Sequence, residues 1–193
     1  MFVEVKKKRI PVKDGKLYLG NMGISNISEI KGLEKLTKLK TLILYKNRIS
    51  TIRHLDSLQG LEKLNLYGNR ITCLEGLDQL KNLKVLYLSD NLLTEIQGLN
   101  RLKNLEILSF EENKISEIRG LNKLKNLRIL NLYDNRITKI KGLENLINLK
   151  TLRIGKNLIA ASLWNKVGGI DKEGYALNLQ RVIGYCRKKK FSN

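Results

Sequence analysis

Asparagine recurs at one fixed interval along most of this chain. Each of these asparagines closes a segment of the form LxxLxLxxN, and neighbouring ones stand 22 residues apart. The positions are Asn47, Asn69, Asn91, Asn113, Asn135 and Asn157. A period of this length is the signature of a solenoid, in which each coil packs only on its neighbours. One coil cannot bury its own apolar face, so the repeat predicts a stacked array with one continuous core.

Each position of the repeat has a physical reason. The second and third leucines of the segment alternate with variable residues, so they point inward from a strand while the variable residues face solvent. The asparagine follows at the point where the backbone leaves the sheet, and buried backbone groups there need partners. We therefore expect the asparagine side chains to form a ladder from coil to coil. Later apolar residues at spacings of three predict short helical or 3-10 turns on the convex side.

The complete pattern, LxxLxLxxNxIxxIxGLxxLxN, resembles a leucine-rich repeat of the subclass named after the regulatory subunit of protein phosphatase one. The resemblance covers residues 17–159 in about seven repeats, within a single domain of residues 1–193. It implies an α/β solenoid with a parallel concave β-sheet of about seven strands. It also implies a shared scaffold more than a shared activity, with a phosphatase catalytic subunit or a small signalling protein as kinds of partner.

The N-terminal end departs from the pattern. The coil between Leu19 and Leu39 is three residues longer than the period allows, and Asn21 or Met22 replaces its asparagine. Before it, "VEV" and "IPV" flank the basic "KKKR", and "KDGK" at 13–16 favours a hairpin turn because Asp-Gly accepts positive φ. Residues 1–16 are therefore predicted to form a strand cap over the first coil.

Beyond Asn157 the repeat stops, and residues 160–193 are predicted to form a helical cap. The first helix should end at the glycine pair 168–169. Its apolar spacing is seen at Leu163, Trp164 and Val167, and that of a second helix at Leu179, Val182, Ile183 and Cys186. Such a segment would cover the apolar end of the solenoid.

Tyrosines are concentrated at the variable positions that should face solvent on the concave sheet. Five of the seven tyrosines of the chain fall there, namely Tyr18, Tyr45, Tyr67, Tyr87 and Tyr133. A tyrosine offers a rigid apolar body with a polar tip, which suits binding surfaces. The alternative is that aromatic and β-branched residues simply suit strands and pack on their neighbours. We favour a binding surface, because exposed apolar side chains gathered on one face differ from the single, scattered apolar residues of an ordinary protein surface.

An acidic column crosses the middle of the same sheet, although the chain has a formal net charge of +19. The column contains Asp90, Glu112 and Asp134, with Glu111 beside it. Three interpretations are open. The first is a charge-balanced sheet, compensated by Lys114 and Arg136. The second, which we favour, is a docking site for a basic segment of a protein partner, flanked by cations such as Arg153. The third is a divalent cation site.

Catalysis finds no support in the residue pattern. His54 is the only histidine, Cys73 and Cys186 lack metal-ligand spacing, and no nucleophile and base pair can be recognised. We expect no enzyme activity, no cofactor and no metal. Nucleic-acid binding through the lysine-rich exterior and the basic termini is the alternative function, since the positive charge is ample. Against it, the central tyrosines Tyr87 and Tyr133 neighbour Asp90 and Asp134 in sequence.

The sequence therefore predicts a non-catalytic interaction scaffold or regulatory subunit. Its partner should be a protein with a basic or mixed-charge patch, bound through the concave face by a monomer. The N-terminus lacks the apolar run of a secretory signal, and no stretch reaches the length of a membrane span. With two distant cysteines, this favours a reduced, cytoplasmic location.

Overall fold

The computed structural model of this protein describes residues 1–190. It opens with an antiparallel hairpin of β1 (Phe2–Val5) and β2 (Lys8–Pro11). Lys6 and Lys7 form the two-residue turn with φ of 50° and 64°, as a type I′ turn requires. The Lys6 Nζ donates to the carbonyl oxygens of Met22 and Gly23, at 2.8 and 2.9 Å. The turn is thereby fastened to the first coil.

The segment "KDGK" forms a second tight turn. Asp14 and Gly15 have φ of 49° and 69°, and Lys13 and Lys16 exchange two backbone hydrogen bonds of 3.0 and 2.8 Å. Lys16 then begins the first strand of the main sheet. The turn that was predicted from Asp-Gly is confirmed, and it delivers the chain from the cap into the solenoid.

Seven short parallel strands, one from each coil, form the main sheet in sequence order. They are β3 (Lys16–Tyr18), β4 (Thr41–Ile43), β5 (Lys63–Asn65), β6 (Val85–Tyr87), β7 (Ile107–Ser109), β8 (Ile129–Asn131) and β9 (Thr151–Arg153). The middle leucine of each strand pairs with the middle leucine of the next, from Leu17 through Leu152. All seven of these leucines are buried. The predicted parallel solenoid is confirmed.

The asparagines make the hydrogen bonds that hold adjacent coils in register. In Asn91 the Nδ2 donates to the carbonyl oxygens of Leu66 and Leu88, both at 3.0 Å. Its Oδ1 accepts the backbone N–H of Ile71 at 2.9 Å. One carboxamide thus satisfies backbone groups of two coils where they leave the sheet. The other five asparagines make equivalent bonds.

A second asparagine ladder stands on the exposed turn before the strands. Its members share one bond, in which Nδ2 donates at 2.9 to 3.0 Å to a backbone carbonyl oxygen of the preceding coil. They are Asn82, Asn104, Asn126 and Asn148. These asparagines also recur every 22 residues, so their spacing could have identified them as a second ladder, which the sequence analysis does not predict.

The outer turns are tighter than a helix. Two 3-10 helices, Ile27–Glu29 and Leu33–Lys35, lie in the first coil. In later coils single backbone bonds span three residues, as from Leu80 N to Leu77 O at 3.0 Å. Gly76 shows why the coils carry glycine here: a Cβ would lie 1.7 Å from the Ile52 oxygen, and φ is +89°.

Two helices close the far end of the solenoid, as predicted. Helix α1 (Ala161–Val167) ends at Gly168, whose φ of 102° makes the left-handed cap. Helix α2 (Leu179–Lys190) buries Val182, Ile183 and Cys186 in the same core that begins at Val3. No helix within residues 1–190 is long and apolar enough to cross a membrane.

Candidate partner-binding face

The strand register aligns the variable residues into columns across the concave sheet. Tyr18 lies beside Ile43, Asn65 beside Tyr87, and Asn131 beside Arg153. Tyr18 is 58% exposed, Tyr45 39% and Tyr67 36%. Tyr87 and Tyr133 are half-buried. The face therefore presents tyrosine rings to solvent along most of its length.

Two of these tyrosines also pack laterally on glycines of neighbouring strands. A Cβ on Gly20 would lie 2.3 Å from the Tyr45 ring, and one on Gly155 would lie 3.3 Å from the Tyr133 ring. Each ring therefore rests on the backbone of the next coil outward. Lateral packing and exposure coexist, so these rings are held in place while part of their surface stays open to a partner.

The middle of the face carries a row of apolar side chains and a pair of buried serines. Val85 and Ile107 are half-buried, and Ile129 is 39% exposed. Further along the same coils the hydroxyls of Ser89 and Ser109 share a buried hydrogen bond of 2.8 Å. Serine therefore stands at these two positions where other coils carry the larger Tyr67 and Tyr87.

The acidic column occupies a turn position with left-handed backbone. Asp90, Glu112 and Asp134 have φ of 54°, 55° and 54°. Aspartate tolerates this region because its short side chain can bond locally, so Asp90 and Asp134 have a conformational reason to be there. Glutamate has no such preference, and Lys46 and Lys156 take the same position in other coils. The turn conformation thus accounts for the two aspartates of the column, but it does not account for Glu112.

Glu111 is neutralised within the structure by a residue two strands away. Its Oε1 accepts from Arg153 Nη1 at 2.6 Å, and its Oε2 accepts from Asn131 Nδ2 at 2.9 Å. Asp134 lies 4.0 Å from Lys156. Within residues 1–190 these two carboxylates pair with Arg153 and Lys156 of neighbouring coils, and no ion pair within 4 Å involves Lys114 or Arg136, the cations considered in the charge-balanced interpretation.

Arg153 connects the sheet to the C-terminal segment. Its guanidinium lies 3.8 Å from the centroid of the Tyr133 ring and 5.6 Å from that of Tyr175. Its Nε also donates to the backbone carbonyl oxygen of Glu173 at 2.9 Å. A planar cation between two rings and a carboxylate is a fixed structural element. Arg153 is therefore less available to a partner than its column position suggests.

Two acids of the column stay open to solvent. Asp90 and Glu112 are exposed, and neither makes an ion pair within 4 Å in the part of the chain that the structure describes. Asp90 follows β6, the strand that ends at Tyr87, and Glu112 follows β7, the strand that pairs with the one containing Ile129. The unpaired negative charge of the column is thus that of Asp90 and Glu112, while the half-exposed Asp134 lies 4.0 Å from Lys156.

Cations also lie on the central tyrosine rings. Lys63 Nζ is 5.4 Å from the Tyr87 centroid, and Lys156 Nζ is 5.3 Å from that of Tyr133. Neighbouring coils therefore place cations beside these rings in addition to the acids Asp90 and Asp134. Arg153 nevertheless covers one face of the Tyr133 ring, and that face is closed to a stacking base.

A segment outside the repeat closes one edge of the sheet. The Gly174 oxygen accepts the N–H groups of Ile154 and Gly155 at 2.8 and 3.0 Å, and Ala176 N donates to Leu152 O at 3.0 Å. This edge segment, residues 171–177, brings Tyr175 onto the concave face with 39% exposure. The period did not reveal it, because the segment lies after the last repeat.

A ladder of alternating charge runs along the start of the strands. Lys40 and Lys84 flank Glu62 at 2.8 and 3.1 Å, and their hydrogen bonds hold the Glu62 pKa below its ordinary value. Glu106 and Arg128 continue the ladder at 3.9 Å. The 22-residue spacing of these charges was the available signal. Within residues 1–190 no three histidine, cysteine or acidic side chains meet as metal ligands.

The repeats match a family model described as "Leucine Rich repeats (2 copies)" over residues 37–79, 81–123 and 125–166. No curated protein sequence matches the chain. Solved structures do. Internalin C2 from Listeria monocytogenes is 30% identical with a TM-score of 0.59, and the alignment covers 76% of this chain and 73% of that one.

Two further solved structures are similar to this chain. Internalin F from Listeria monocytogenes is 28% identical with a TM-score of 0.64, over 75% of this chain and 44% of that one. A leucine-rich repeat protein from Leptospira interrogans is 31% identical with a TM-score of 0.60, over 67% and 34%. The chain thus spans less than half of the length of these two proteins.

Proposed function

The chain belongs to the leucine-rich repeat family, and from that premise we propose that it is a non-catalytic scaffold that binds a protein partner through its concave face. Proteins of this fold commonly serve protein–protein interaction, and a curved solenoid offers an extended concave surface for it. Seven strands at about 4.8 Å span about 30 Å, which accommodates the roughly 800 Å² per partner of a standard interface.

The observation that carries the proposal is the row of open tyrosines. Tyr18, Tyr45 and Tyr67 each expose more than a third of their surface on one regular sheet. Rigid amphipathic rings provide contact area at low entropic cost and are enriched among residues that dominate binding energy. Regular strands hold these rings in fixed positions before a partner arrives.

The charges of the face define the partner's chemistry. The open carboxylates of Asp90 and Glu112 favour a basic side chain opposite the middle of the sheet. Lys46 and Lys63 lie toward the first coils, so an acidic group of the partner would be accommodated there. The proposed partner is a protein with a mixed-charge patch whose basic part meets the centre.

Substitutions borrowed from other coils test the face without disturbing the fold. Tyr18→Asn and Tyr67→Ser copy residues already present in the same columns, Asn65 and Ser89. Their combination should weaken partner binding at least about thirtyfold, as expected for lost hot-spot residues. The measurement is affinity capture followed by titration of the captured protein.

The charge of the face is tested by Asp90→Lys with Glu112→Lys, because lysine occupies the same turn position at residues 46 and 156. This variant should lose a partner that the charge-matched control Asp56→Lys with Asp78→Lys, on the outer turns, retains. Equal capture by all variants contradicts the proposal. Binding of generic RNA that falls steeply with salt and ignores these residues would favour the alternative function.

Finer assignments stay predictions. They are the subclass named after the protein phosphatase one regulatory subunit, a phosphatase or small signalling protein as partner, the monomeric state and the cytoplasmic location. The free cysteines Cys73 and Cys186 agree with a reduced compartment. Capture from a lysate would identify the partner and so test the first two of these predictions.

A further inference from the structure

A groove lies on the outer side of the last coils, away from the concave sheet. It has a volume of about 650 Å³ and is bounded by the outer turns after β7 and β8 and by helices α1 and α2. The Arg187 Nε donates to the backbone carbonyl oxygen of Glu144 at 3.2 Å and so connects α2 to the second of these turns. This volume is within the range of small-ligand sites.

The floor of the groove is apolar. Ile118 and Ile140 contribute from the coils, and Leu163 and Tyr185 from the two helices. Ile118 and Ile140 are almost fully buried, whereas Leu163 and Tyr185 are half-buried and so leave apolar surface open. Burial raises the pKa of the Cys186 thiol to about 11, so this lining group is neutral at physiological pH.

The rim of the groove carries more positive than negative charge, because Arg119, Lys139, Lys141 and Lys189 line it together with a single acid, Glu144. Arg119 and Lys141 already pair with Glu95 and Glu117 of the preceding coils. Lys139 and Lys189 are exposed, and neither makes an ion pair within 4 Å in residues 1–190. Lys139 contributes to the lowered pKa of Glu117, but the ion pair of Glu117 is with Lys141. Lys139 and Lys189, which form no close ion pair beside the half-buried Leu163 and Tyr185, are complementary to a ligand that carries both an apolar body and negative charge.

We propose that this groove binds a small anionic amphiphile, with its apolar body on Leu163 and Tyr185 and its negative head group at Lys139 and Lys189. The head group is a carboxylate, sulfonate or phosphate on a monomeric ligand. An inorganic anion would leave the floor unused, and a neutral hydrocarbon would leave the two lysines without a partner. The site is independent of the concave face, so either proposal can fail alone.

Calorimetric titration with dodecanoate below its micellar concentration tests the site. The Lys139→Gln, Lys189→Gln variant should bind at least about tenfold more weakly than the wild type, because each charge-assisted contact contributes a factor of that order. Lys81→Gln with Lys103→Gln removes the same charge from exposed turns elsewhere and should leave the affinity unchanged. Thermal unfolding of each variant checks that it is folded.

Two further ligands separate the contribution of the negative head group from that of the apolar chain. Dodecanol should bind more weakly than dodecanoate, and dodecyltrimethylammonium should not bind at all. The methyl resonances of Ile140 and Leu163 should shift on titration with dodecanoate. Equal binding by the two lysine variants, preference for the cationic ligand, or binding only to anionic vesicles or an acidic peptide overturns the proposal.

Discussion

Each ladder asparagine connects backbone groups of two coils through one carboxamide. Asn113 accepts the N–H of Leu93 at 3.0 Å and donates to the oxygens of Leu88 and Phe110, each at 3.0 Å. No smaller polar side chain can make this set of bonds, since it needs an acceptor and two donors in one plane. The repeated asparagine is therefore a requirement of backbone satisfaction.

Removing this carboxamide should be costly. Asn113→Ala leaves the buried N–H of Leu93 without a partner, whereas the oxygens of Leu88 and Phe110 keep a bond from Asn91 and Asn135, so it should lower the free energy of unfolding by about 1 to 3 kcal/mol. Asn104→Ala, in the exposed ladder, loses a single bond to Lys81 O and should cost less than about 1 kcal/mol. Urea denaturation measures both. Equal effects would contradict the distinction between the two ladders.

At the scale of elements, a segment outside the repeat determines how the sheet ends. The edge at β9 is covered by the edge segment, whose Gly174 accepts two backbone N–H groups. Gly174 has a φ of +87°, and a Cβ there would lie 2.7 Å from the Tyr133 ring and 2.9 Å from the Gly155 Cα. Only glycine brings the segment this close to the last strand.

A methyl group at this position should lift the segment from the sheet. Gly174→Ala should lower stability by about 1 to 3 kcal/mol, the usual cost of a strained backbone position. The amides of Ile154 and Gly155 should then exchange faster with deuterium. Gly184→Ala in α2 is the control: no atom lies within 4 Å of its Cβ, and it should stabilise by about 0.5 to 1 kcal/mol. Unchanged exchange at both amides would contradict the role of the segment.

At the scale of the whole molecule, stability depends on how an excess of positive charge is distributed. The coils interleave acids with cations, as at Glu62 between Lys40 and Lys84 and at Glu117 beside Lys141. Lys40 and Lys84 lower the pKa of Glu62, and Lys141 lowers that of Glu117. A lowered folded-state pKa stabilises the fold above the ordinary value of 4.5, and this contribution is lost as the pH falls through the folded-state values.

Acid should therefore destabilise the protein strongly. Below about pH 4.5 the carboxylates protonate and the net charge rises from +19 toward the 37 charges of the lysines and arginines. Repulsion then lowers the melting temperature, and about 0.15 M NaCl should recover part of the loss by screening. Thermal melts across pH at two salt concentrations test this. A variant with Glu62→Gln and Glu117→Gln should show a smaller loss, and an equal loss would assign the effect to net charge alone.

The sequence by itself determined the repeat, the parallel sheet, the buried leucines and both caps, because all of these follow from a strict period and from elements that must cover apolar ends. It also predicts that five tyrosines share one face, because side chains alternate along a strand. Only the tertiary structure decided how the charges pair. Glu111 and Arg153 are 42 residues apart and meet because coils stack, and the edge segment reaches β9 without any periodic signal. Contacts between coils and beyond the last repeat depend on three-dimensional distance, which a period along the chain does not encode.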